Sequence, residues 1–162
     1  MSNIRKQLRQ LDVDKLKMKN SDKTLEQELK YHAGILADCI MEEMQDSIYD
    51  YSPQMYRRTF DLWNSLYIND KVRVNVSGKG TSLSISVQFS DEVMHENFEG
   101  EQVNIAGILN EGYHTHGTFA NVPMLGFREA TNFIDNAILK YKQRVRNPFV
   151  VKFRINGEER IF

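Results

Sequence analysis

The chain is short of several things, and each shortage closes off a class of protein. It has one cysteine, Cys39, among 162 residues. A single thiol forms no intramolecular disulfide and no cysteine-based metal cluster. Cys39 lies among Leu36, Ile40 and Met44 at helical spacing, the place of a small buried hydrophobe. A reactive thiol needs a cationic, partly exposed setting instead. There is no Gly-rich phosphate loop, no nucleophile elbow and no His-Glu-x-x-His pair. No run of about 18 apolar residues occurs, so no membrane-spanning helix is expected. The N-terminus, Met1 to Lys6, lacks the apolar stretch of a signal peptide, and the protein is expected to stay in the cytoplasm where it is made.

What is there suits a globular domain. Hydrophobic residues at 41% and charged residues at 27% are ordinary values, and this length buries a real core in one domain. The net charge of −1 hides an uneven spread. Residues 1–20 hold six basic and two acidic residues, a net +4. Residues 138–162 hold seven and two, a net +5, and the middle holds eight against 18, a net −10. Solvated faces and tails account for any single cluster. The overall pattern suits self-assembly, with a basic end of one subunit meeting an acidic face of the next. An acidic body argues against a protein that grips DNA phosphates.

Hydrophobic periodicity gives the organisation. Residues 1–23 read as a basic N-terminal arm or short helix, and 24–162 as a single domain. From Thr24 to Tyr49, Leu25, Leu29, Ala33, Leu36, Ile40, Met44 and Ile48 step by threes and fours, and Thr24 with Gln27 makes a capping box. His32 sits at the stripe's edge. Pro53 ends the helix near Asp50. Phe60 to Ile68 fits a short helix or a strand. Lys71–Ser77 and Thr81–Ser90 alternate strictly and read as strands, joined by a Gly78-Lys79-Gly80 turn. The apolar set Val72, Val74, Val76, Leu83, Ile85, Val87 and Phe89 is expected to receive the long helix. Ser82, Ser84 and Ser86 give the other face a flat, uncharged surface, open to solvent or to a neighbouring subunit. Residues 91–100 read as an acidic loop, 103–109 as a short apolar element, and 113–124 as an exposed excursion. Arg128–Val145 reads as a second amphipathic helix. Phe149, Val151 and Phe153 mark a last strand, followed by an Asn156-Gly157 turn. The expectation is an α+β, two-layer fold, with a long N-terminal helix and a C-terminal helix packed on a mainly antiparallel sheet.

Chemistry is sparse. His114 and His116 share one side of an extended segment, and His95 or Glu111 is a conceivable third ligand; three or four ligands in a supported site make a metal centre. The Gly-flanked polar setting favours a structural loop. No catalytic residue, cofactor site or metal site is assigned. Tyr56, Arg57, Arg58, Phe60 and Trp63 form a basic-aromatic cluster. Such clusters bind nucleic acid by stacking, but Tyr, Trp and Arg are also the side chains favoured at protein interfaces. An interface or a local anchor is the preferred reading.

The segment from Tyr51 to Leu66 carries the pattern Tyr-x-Pro-x-x-Tyr-x-Arg-Thr-x-x-Leu-x-x-Ser-Leu. In order after a long helix, before two alternating strands and an Ala106-to-Gly112 segment, it resembles the head–tail joining, or tail-completion, proteins of tailed-bacteriophage necks. The resemblance covers roughly residues 24–145. The Pro-rich approach to the last helix is weak here, and residues after Pro148 have no counterpart. The resemblance implies a non-enzymatic subunit that assembles as a ring of six or twelve copies between portal or adaptor and tail. DNA would only pass through its channel, no membrane would be involved, and the protein would reside in the virion. Interface residues expected on this basis and from the charge pattern are Tyr51, Tyr56, Arg57, Arg58, Trp63, Ser82, Ser84, Ser86, Lys140, Lys142 and Arg144. The alternative is a small nucleic-acid-binding or regulatory protein using Arg57-Arg58 and the basic termini. A metal-dependent enzyme using His95, His114 and His116 is a third.

Overall fold

A computed structural model describes residues 22–50, 60–77, 80–90, 93–96, 102–119, 122–146, 148–155 and 158–162. Helix α1 (Leu25–Met44) starts at Thr24 with both halves of the capping box made. Gln27 N–H donates to Thr24 Oγ1 at 3.2 Å, and Thr24 N–H donates to Gln27 Oε1 at 2.9 Å. The helix runs on as a π turn, Gln45–Tyr49, and stops at Asp50. The segment that fitted either state splits into both, with α2 (Asp61–Ser65) running directly into β1 (Leu66–Ser77). Ser65 Oγ donates to the Leu62 carbonyl at 2.7 Å, and the Ser65 carbonyl accepts from Ser90 N–H at 2.8 Å. The helix-to-strand switch is thereby tied to the end of β2 (Gly80–Phe89).

β1 and β2 pair antiparallel from Leu66↔Phe89 to Ser77↔Gly80. The strand therefore starts five residues earlier than the alternation from Lys71 suggests. Between Asn69 and Arg73 the first strand carries extra residues opposite Ser86 to Ser84. The surplus is even in number, so the apolar positions return to the same face after it.

β3 (Met94–Glu96), within the stretch expected to be a loop, pairs β4 (Gln102–Asn104), which runs into the expected short apolar element. Asn104 then caps α3 (Ile105–Glu111) by accepting from Ala106 and Gly107 N–H. Gly112, at φ 75°, takes the chain out of that helix in a region glycine favours. The expected excursion over 113–124 is instead a hairpin, β5 (Tyr113–Phe119) with β6 (Val122–Arg128). Helix α4 (Phe133–Arg144) accordingly starts later than Arg128, because that residue still belongs to β6 and Asn132 takes a left-handed conformation before the first turn. The last hairpin is β7 (Lys152–Ile155) with β8 (Glu158–Ile161), in register from Lys152↔Ile161 to Ile155↔Glu158; the expected Asn156-Gly157 turn lies outside the described residues.

The fold is α+β with all four strand pairs antiparallel. Among the described residues these are four separate two-stranded pairs. The core is mainly helical: Cys39, Ile40, Met44 and Ile48 from α1 and its π turn meet Phe133, Ile134, Ala137, Ile138 and Tyr141 of α4, with Leu62 and Ala106 beside them. Among the described residues, the β1–β2 hairpin contributes its open end, Leu66, Val87 and Phe89. Leu83 and Ile85 are half-buried, and Val74 is 42% exposed. The expectation that the whole apolar face of the hairpin lies under α1 is therefore corrected. Twelve residues of strand at about 3.3 Å each outrun the layer that two crossing helices cover. The C-terminal segment is part of the core assembly, since Val151, Phe153 and Phe162 pack against it.

Candidate interaction surface

The basic side chains of α4 are placed first by the helix that carries them. Lys140 and Arg144 are four residues apart and lie on one side of α4. That side faces α1, and both cations are paired within the chain. Lys140 Nζ lies 2.9 Å from Glu42 and 2.9 Å from Glu43. Arg144 forms a two-pronged pair with Glu42, at 2.7 and 2.5 Å. Hydrogen bonds from Arg144 and then Lys140 hold the Glu42 carboxyl down at about 2. The same carboxylates push Lys140 and Arg144 up. Glu42 and Glu43 thus clamp α4 to α1. Lys142, half-buried, is not part of this cluster.

A second polar cluster lies nearer the start of α1, at Tyr141 of α4, which falls between Lys140 and Arg144 in sequence. His32 Nδ1 is 2.7 Å from Tyr141 Oη, and the same hydroxyl accepts from Phe149 N–H at 3.1 Å. The His32 ring stands edge-on to Phe149 at 4.7 Å, with Glu28 3.9 Å from Nε2. Burial lowers the His32 pKa, opposed by the Glu28 charge, and burial raises that of Tyr141. Burial also raises the Cys39 thiol, which is fully enclosed. A thiol pushed up in this way is a poor nucleophile at neutral pH.

The β1–β2 hairpin presents a polar face on which Tyr67, Asn69, Arg73 and Asn75 stand opposite Gln88, Ser86, Ser84 and Ser82. Ser82 and Ser84 are exposed and Ser86 is half-buried. Tyr67 and Gln88 are hydrogen-bonded. The surface is therefore less flat than the serines alone suggest, because Arg73 rises from it.

Trp63 is half-buried against the core, edge-on to Tyr49 at 5.7 Å, and Tyr49 stacks on Phe60 at 5.0 Å. Its position is that of a local anchor. Tyr51, Tyr56, Arg57 and Arg58 lie outside the described residues. So do the side chains of His95, His114 and His116; the backbone register sets His114 opposite Phe127, His116 opposite Leu125 and His95 opposite Val103. Among the described residues no three His, Cys, Asp or Glu side chains converge as metal ligands, and no helix is long and apolar enough to cross a membrane.

Sequence reasoning missed a cleft of about 800 Å³. Its floor is α1 and α4, through Leu29, Leu36, Ile40 and Ile138, and its walls are β2 and the segment leading through β7. Leu36 is half-buried in a stripe whose Leu29, Ala33, Ile40, Met44 and Ile48 are buried, and nothing in the sequence pattern marks it.

A family model matches residues 1–152, nearly the whole chain. The chain belongs to the YomN family. The match takes in α1, the Tyr51–Leu66 motif and the hairpins through the start of β7. The family's description states no activity. No curated protein and no solved structure matches the chain.

Proposed function

We propose that this YomN-family protein is a structural component of a phage neck, a ring-forming connector or tail-completion subunit between portal or adaptor and tail. In this reading it is not an enzyme, and it takes its place in the virion after synthesis in the host cytoplasm. The observation that carries the reading is the ordered Tyr51–Leu66 motif between a long helix and a β-hairpin. Its second half does identifiable work in the fold. Leu62 is buried, and Ser65 joins the helix turn to the end of β2. The first half, with Tyr51, Tyr56, Arg57 and Arg58, supplies exposed-type aromatic and cationic residues suited to a subunit contact.

The in-chain pairing of Lys140 and Arg144 changes the contact to be expected. Reversing Lys140, Lys142 and Arg144 to glutamate would set acids against Glu42 and Glu43 and weaken the fold itself. A ring contact then draws on the basic N-terminal residues and the Arg73–Ser82–Ser84 face. Mass spectrometry of purified particles should find the protein in few copies relative to the capsid protein, and images of the neck should place it in a closed ring. Absence from mature particles would sink the proposal.

A further inference from the structure

We propose that the cleft between β2 and β7 receives an extended, acidic segment of another chain, which adds as a strand between the two hairpins. The lining decides the mode. Every residue from Leu83 to Phe89 lines the cleft, as does every residue from Phe149 to Arg154. A strand that shows its face to a cavity contributes alternate residues, and one that shows its edge contributes consecutive ones. The first wall is therefore the edge of β2; the second is the edge of β7 from Lys152 to Arg154, continued by the segment Phe149 to Val151 that leads into it. Among the described residues β2 pairs only with β1, and β7 only with β8. Unpaired edges are templates for strand addition, in which main-chain hydrogen bonds give affinity and alternate side chains give specificity.

The occupant must have both of its own edges free, since it sits between two strands. The described strands of this chain are already paired on one side, so a second copy cannot insert one of them. Its inward side chains meet Leu36, which is half-buried, and the half-buried Leu83, Ile85 and Val87, and are apolar. The charged side chains of the lining are Arg73, Lys152, Arg154 and Glu159. Glu159 is shared by Lys152 at 2.9 Å and Arg154 at 3.4 Å, while Arg73 is exposed with no carboxylate partner among the described residues. The surplus is basic, so the outward side chains of the occupant are acidic. That disfavours the chain's own N-terminal residues 1–20, which carry +4.

The test uses the full-length protein and a fluorescent peptide of about eight residues alternating valine and glutamate. It should bind saturably and slow hydrogen exchange at the Leu83–Phe89 amides. Arg73→Glu, an exposed change checked by its melting curve, should weaken binding by about tenfold. A valine–lysine peptide and a peptide with a central proline should both fail to bind. Equal binding by either control, no binding by the acidic peptide, or full protection of the Leu83–Phe89 amides in the free chain would overturn the proposal.

Discussion

Asn110 is fully buried, and its polar contacts run to the start of α4. Its Oδ1 accepts from Ile134 N–H at 2.9 Å, its Nδ2 donates to Asp135 at 3.0 Å, and its carbonyl accepts from Asn132 N–H at 3.0 Å. One side chain thus replaces the cap that Asn132, in its left-handed conformation, does not provide. Asn110→Ala should cost about 1–3 kcal/mol in urea unfolding, because a buried amide hydrogen loses its acceptor. Asn110→Asp keeps the acceptor but sets a second carboxylate beside Asp135. It should be the worse variant at neutral pH and recover as pH falls into the carboxylate range. His32 gives the other residue-scale prediction. Burial lowers its folded pKa below the usual 6.5, so the unfolded chain takes the proton first as pH falls. The contribution to stability is full above that value and declines below it. Melting temperatures at about pH 7.5 and 5.5 should therefore differ more for the native chain than for His32→Gln.

The elements are held mostly by one helix pair. α1 and α4 share the buried core and, along one margin, the Glu42, Glu43, Lys140 and Arg144 cluster. With the Glu42 carboxyl held at about 2, its contribution is present at neutral pH and lost as pH falls from the ordinary carboxylate range toward 2. Exposed pairs of this kind are weakened by salt. Glu42→Gln should lower the melting temperature in dilute buffer, and the difference from the native chain should shrink in about 1 M salt. A difference that does not respond to salt would mean that packing of the side-chain stem, not charge, joins the helices there.

At the scale of the whole molecule, the C-terminal hairpin is a wall of the core rather than a tail. Val151, Phe153 and Phe162 pack on it, Val151 and Phe162 exchange backbone hydrogen bonds at 3.3 and 2.9 Å, and Phe149 N–H is held by Tyr141. Arg160 reaches back to Glu111 at 2.7 Å and to Asp135 at 3.5 Å, binding the last strand to α3 and α4. A chain ended after Arg146 should lose cooperative unfolding or melt well below the intact protein, as read by circular dichroism. An unchanged melting curve would show that the core closes without the hairpin.

Local elements were legible because their signals are local. The Thr24–Gln27 box, the apolar stripe from Leu25 to Ile48 and the alternation of Leu83 to Phe89 each act within a few residues. The β5–β6 hairpin was hidden because His114, Gly117 and Pro123 break any clean alternation. The sequence alone determined that α1 has an apolar side to bury and that the chain's charges are segregated. Only the tertiary structure decided that α4, more than the sheet, covers that side, and that Glu42 takes Arg144 from 102 residues away. Burial has no direction, so an apolar stripe does not name its partner. The long-range pairing of helices and hairpins made that choice, and it left the edges of β2 and β7 facing one cleft.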